Sequence, residues 1–144
     1  MKKISISAVI VGAILGIVAA SVLAIPLTIY EVKHWHLLGL PADQGQEAVK
    51  AAYGADISWQ LMGLAIDGFC NIFAGYTAGK IARHNEMLNG SLTCILGLLF
   101  SLAASLRGKL MTPAWIQVTS FFLAPALGAL GGYISARRNA PARY

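Results

Sequence analysis

Asp67 is a lone charge inside an otherwise apolar stretch that runs from Ser58 to Lys80. A carboxylate at the centre of a bilayer costs at least ~2.5–3.5 kcal/mol on insertion scales, so such a residue is read first as functional. Trp59 lies eight residues earlier, which at the helical rise puts Asp67 ~12 Å further along the axis. Half of a typical hydrocarbon core is ~15 Å, so Asp67 falls near the midplane. Asn71 follows one turn later on the same face, and Gly63 and Gly75 extend that face so that a neighbouring helix can approach. Lys80 is thirteen residues on, or ~20 Å, too distant to neutralise the carboxyl. Two chemistries fit. In one, Asp67 with Asn71 binds a proton or cation and titrates during transport. In the other, a protonated Asp67 hydrogen-bonds to Asn71 or to a Ser/Thr of another helix and holds the bundle together. The structural role is the first expectation and transport the alternative.

The other reactive side chains are less promising. His34 and His36, with Glu31 and Asp43 nearby, invite a metal reading. Two histidines at i, i+2 share a side only in an extended strand, and a zinc site needs three or four ligands in defined geometry. The expectation is an interfacial loop and no metal. Cys70 and Cys94 both fall in apolar segments, where free thiols behave as small hydrophobes, so no disulfide is expected. There is no phosphate-binding loop, dinucleotide fingerprint, nucleophile elbow or zinc-protease helix. Neither an enzymatic activity nor a cofactor is expected.

The elements that hold these residues follow from composition. Of 144 residues, 57% are hydrophobic and 12% charged, against about 25% charged in ordinary soluble domains. The mean hydropathy is +0.65. A soluble core of this size could not hide so much apolar surface, so lipid is the natural solvent. Four apolar segments are long enough to span: about 4–30, 58–80, 87–106 and 113–136. They must be helices, because spanning backbone has to satisfy its own hydrogen bonds and four segments cannot close a barrel. The fold class is therefore all-α: one transmembrane domain over residues 1–144, with four helices arranged as two hairpins. The first segment follows Met1-Lys2-Lys3 and resembles a signal peptide, but its apolar run exceeds the usual 7–15 residues and is read as an uncleaved anchor. Residues 31–57 form a polar outer loop. Pro41 is suited to start a short helix in it and Gly54 to end one, and Trp35 with the run 36–40 suggests that the loop lies on the membrane surface.

The net charge of +5 is read as topology rather than as nucleic-acid binding, since no basic run exceeds Arg137-Arg138. With both termini inside, Lys2, Lys3, Lys80, Arg83, Arg137, Arg138 and Arg143 face inward, and Lys33, Lys50, Arg107 and Lys109 face outward. Seven against four places both termini in the cytoplasm of a bacterial inner membrane. Trp59 and Trp115 then anchor outer helix ends at the interface, and Tyr76 and Tyr133 anchor inner ends.

A shift of 57 residues aligns Gly75 with Gly132, Tyr76 with Tyr133, Lys80 with Arg137 and Gln60 with Gln117. The two hairpins thus look like parallel repeats, although shared packing and interface needs could produce the same helix ends independently. The stretch Gly131-Gly132-Tyr133-Ile134-Ser135-Ala136-Arg137 resembles the Gly-Gly-Tyr-x-Ala helix end of small bacterial four-helix membrane proteins, with Ser135 where alanine is usual. Ala74-Gly75-Tyr76-Thr77-Ala78 is similar, with one glycine replaced. The resemblance covers about a tenth of the chain and implies a four-helix membrane protein without naming an activity.

Gly12 with Gly16, Gly75 with Gly79 and Gly128 with Gly132 form small-xxx-small motifs, which permit close helix contact within one chain or between copies. The expected function is a small non-enzymatic accessory protein that packs with itself or with a larger membrane complex through these faces. The alternative is an oligomeric channel or a proton- or cation-coupled transporter built on Asp67.

Overall fold

A computed structural model describes residues 4–34, 41–105 and 113–139. These form five helices: α1 (Ile6–His34), α2 (Ala42–Ala55), α3 (Ile57–Ala82), α4 (Glu86–Ser105) and α5 (Ala114–Asn139). Four of them, α1, α3, α4 and α5, are long and apolar enough to cross a membrane. The described residues are all-helical, and the four candidate spans are those of a multi-pass membrane protein.

Local signals account for most helix ends. Asp56 caps α3: its carboxylate accepts a hydrogen bond from the Ser58 amide at 2.9 Å, satisfying one of the four donors that a helix start leaves open. Pro41 precedes α2 and cannot donate where no donor is needed. Arg83 ends α3 in the left-handed conformation, and its amide returns to the Gly79 carbonyl at 3.0 Å. Asn85 is also left-handed, a state asparagine tolerates, and the chain turns there into α4.

α1 runs four residues beyond the expected end at Tyr30. The reason is tertiary. Glu31 is buried against the rest of the chain, and His34 stacks on Tyr30, one turn back, with ring centroids 5.7 Å apart. Glu31 is covered by the fold and His34 has ring partners, so the helix continues. α5 likewise extends through Arg137, Arg138 and Asn139, where cations suit the negative end of the helix dipole.

α3 is the hub: it packs on α1, α4 and α5 and also touches α2, while α5 packs on α3 and α4. The buried core consists mainly of small residues, among them Ala8, Ala13, Ala74, Ala78 and Ala124. Large apolar side chains such as Ile14, Phe100 and Phe122 point outward. This inversion of a soluble protein is expected where lipid already solvates apolar groups and helices associate by close packing.

Every small-residue motif is used within the chain. A methyl on Gly12 would meet the Ala78 Cβ at 2.8 Å, and one on Gly16 the Ala74 Cβ at 2.8 Å. Gly75 abuts the Gly128 carbonyl, and Gly132 abuts the Glu86 carbonyl. Gly79 lies against Ser135 and Gly132. Gly63 faces α2, with the Tyr53 hydroxyl 2.6 Å from where a methyl would sit.

Asn89 ties the bundle at the end where α1 and α4 begin. Its side chain is fully buried. Its Oδ1 accepts from the Ser5 amide at 3.0 Å, and its Nδ2 donates to the carbonyls of His84 and Asn85 at 2.9 and 3.0 Å. Thr93, one turn on, donates to the Asn89 carbonyl at 2.8 Å.

Candidate functional site

α3 carries Asp67 in its middle, where the small residues that let α1 and α5 approach give way to open space. Asp67 is exposed from the protein itself and lines two cavities. The smaller, about 160 Å³, lies among α1, α3 and α4, and also contacts Asn71, Thr93, Cys94 and Ser101. The larger, about 610 Å³, is a cleft between α4 and α5 lined by Leu98, Leu102, Ile116, Phe121 and Pro125 among others. Its polar groups are Asp67, Ser101, Gln117 and Ser120. Asp67, Leu98 and Ser101 line both cavities, so Asp67 and Ser101 are the polar groups at the boundary between them.

Asn71 donates from Nδ2 to the main-chain carbonyl of Asp67 at 2.9 Å, and the same amide lies beside the Asp67 carboxyl. The pair is therefore brought together as its one-turn spacing predicts. The Cys94 thiol donates to the Asn71 carbonyl at 3.5 Å, which links α4 to the same spot. Cys70 and Cys94 are both free and buried. The smaller cavity is mostly apolar, but Asp67, Asn71, Thr93 and Ser101 give it polar groups, and it is large enough for ordered water, which needs two to four partners.

The helix ends carry two further clusters. At one end, Tyr30, His34 and Trp59 cluster: Tyr30 and Trp59 have ring centroids 5.5 Å apart, and His34 and Trp59 6.4 Å, both pairs tilted. Trp59 is buried inside this cluster rather than turned wholly to the interface. Beside it, the buried Gln60 links three helices. Its Nε2 donates to the carbonyls of Tyr53 and Gly54 at 2.9 and 3.0 Å, and its Oε1 accepts from the Trp115 indole at 3.0 Å. Trp115 otherwise remains exposed. Burial, and secondarily the charge of nearby Glu31, pushes the Tyr53 phenol above its ordinary range.

At the other end, Lys80 lies over the Tyr76 ring at 5.7 Å and Arg137 over the Tyr133 ring at 5.0 Å. These are matching positions under the 57-residue shift, and both pairs are cation–π contacts at i, i+4. Arg138 reaches across from α5 to the Tyr76 ring at 5.8 Å.

Among the described residues no group of three or more His, Cys, Asp or Glu is placed to hold a metal. His36 and the side chain of Asp43 lie outside the described residues. Sequence reasoning did not single out Gln60 or Asn89 as organising residues. Gln60 was visible only as the counterpart of Gln117, and Asn89 only as an amide near a helix start.

No family model, curated protein or solved structure matches the chain.

Proposed function

We propose that this protein is a small carrier or channel subunit in which Asp67 exchanges a proton for a cation inside the membrane. The observation that carries this reading is the position of Asp67 on both cavities, one among α1, α3 and α4 and the other between α4 and α5. A carboxyl in lipid is stable as the neutral acid. A bound cation replaces the proton and keeps the site neutral, so binding releases one proton for each positive charge taken up. The larger cleft is mostly apolar with a few polar groups, a lining that suits an organic amine with an apolar body. In this reading the four spans form two hairpins in a bacterial cytoplasmic membrane. α2 lies on the outer surface, and both termini are cytoplasmic, in keeping with the distribution of basic residues.

A second reading is the accessory role, in which Asp67 is structural and the chain packs with itself or with a larger membrane complex. The Asn71 amide beside Asp67 favours it. The small-residue faces do not, since each is occupied within one chain.

The deciding experiment uses the full chain in liposomes loaded with a pH-sensitive dye. An inward gradient of an apolar quaternary ammonium ion, which has no neutral base form to cross lipid unaided, should raise the internal pH in wild type and not in Asp67→Asn. Equal proton release by both proteins would leave only the accessory role.

A further inference from the structure

The flank of α3 turned away from α1 and α4 carries Phe69, Phe73, Tyr76 and Lys80, which share one helical face at i, i+4, i+7 and i+11. Phe69 and Phe73 are exposed, at 63% and 40%, and Lys80 is exposed at the rim. Across the α3–α5 contact, Ile134 is exposed at 37%, and Arg138, one turn further, is also exposed. The two faces converge because Gly131 lets α5 rest on the main chain of Ile72 and Tyr76. Two cations from different helices thereby meet at one ring: Lys80 and Arg138 both lie on Tyr76 and within reach of its hydroxyl. Two cations brought to one ring favour an anion between them.

From this juxtaposition we infer that the α3–α5 flank binds an anionic phospholipid, with its phosphate between Lys80 and Arg138 and an acyl chain along Phe73, Phe69 and Ile134. The dimensions agree. Phe69 to Lys80 spans ~16 Å along the helix, close to the ~15 Å of one leaflet's hydrocarbon. Basic pockets between membrane helices are suited to lipid phosphates, and Arg adds paired donors for the oxygens. A free phosphate would use the cations but leave the apolar track without an occupant. The inference is independent of the role of Asp67, which faces the opposite cavities.

The test is native mass spectrometry of the full chain released from phosphatidylcholine vesicles that contain a minority of phosphatidylglycerol. Wild type should retain phosphatidylglycerol in preference to phosphatidylcholine. Lys80→Gln and Arg138→Gln should each lower that retention about fivefold, the effect of one basic side chain at a membrane surface. Lys80→Arg should keep it, and Arg137→Gln, at the same helix end but on Tyr133, should leave it unchanged. Circular dichroism checks that each variant is folded. Retention undiminished in the two Gln variants overturns the site, and so does an equal loss in Arg137→Gln, which would mark diffuse charge. Displacement of the lipid by soluble glycerol phosphate at equal concentration would assign the site to a free phosphate. A dimer signal lost in the Gln variants would assign the face to a second copy.

Discussion

Gly75 of α3 and Gly128 of α5 meet main chain to main chain, so closely that a methyl on Gly75 would overlap the Gly128 carbonyl oxygen. No side chain intervenes at this crossing, and the helices gain contact along their backbones instead.

Gly75→Ala should therefore force the α3–α5 pair apart. Overpacking of this kind costs about 1–3 kcal/mol. The comparison is Gly97→Ala, also in a span, where a methyl meets nothing within 4 Å. Thermal unfolding in detergent should show a clear loss for Gly75→Ala and no loss for Gly97→Ala. Equal midpoints for the two variants would mean that the crossing is not close-packed.

Gln60 holds the start of α3, the end of α2 and the Trp115 indole with one side chain. Gln60→Leu removes the partner of two carbonyls and an indole N–H. Leaving a buried polar group unsatisfied costs about 1–3 kcal/mol. Limited proteolysis should cut the segment around α2 faster in this variant, and Trp115 fluorescence should shift. Wild-type cleavage rates in Gln60→Leu would remove Gln60 as the tie.

The Tyr53 phenol is raised above its ordinary value of 10.0, first by burial and second by Glu31. The sign follows directly. The docked form holds the proton more tightly than the undocked form, so the contribution is complete below about pH 10 and is lost as pH rises through the folded value. The tyrosinate absorbance absent from Tyr53→Phe should therefore appear at higher pH than in a free tyrosine. Glu31→Gln should bring it partway back. A Tyr53 titration at the ordinary value would contradict the docking of α2 over Gly63.

The four spans were legible because length and hydropathy alone decide which segments can cross a bilayer. The α2 helix was legible from Pro41 and Gly54. The extension of α1 to His34 was not, because it depends on Glu31 being buried and on His34 meeting Tyr30 and Trp59. The small-xxx-small motifs announced close approach but not the partner: the spacing of Gly75 and Gly79 is the same whether the opposing surface is α5 or a second chain. Asp67 and Asn71 were found because a charge in an apolar segment stands out in one dimension. Ser101, Gln117 and Ser120 were not legible as their companions, because polar residues of α4 and α5 join Asp67 of α3 in one lining only after folding. Tyr76 and Lys80 read as an interface pair from their own helix, whereas the arrival of Arg138 from α5 is a tertiary event.

Asp67→Asn is the most informative substitution. The amide keeps the shape of the neutral acid and its capacity to accept and donate, so the variant should insert and fold as wild type does. It cannot release a proton. If Asp67 exchanges a proton for a cation, proton release driven by a quaternary ammonium ion in liposomes should be lost, because the one group whose charge changes is gone. Infrared spectra should show a protonated carboxyl band in resting wild type that disappears on addition of an apolar quaternary ammonium ion at constant pH and is missing in Asp67→Asn. Asp67→Leu separates the structural part: it removes the hydrogen bonding as well as the proton, and should weaken the bundle by ~0.6–2 kcal/mol, the range of a membrane hydrogen bond. A carboxyl band that stays unchanged through addition of the quaternary ammonium ion, together with weakened packing in Asp67→Leu, would make Asp67 a structural residue and would return the protein to the accessory role.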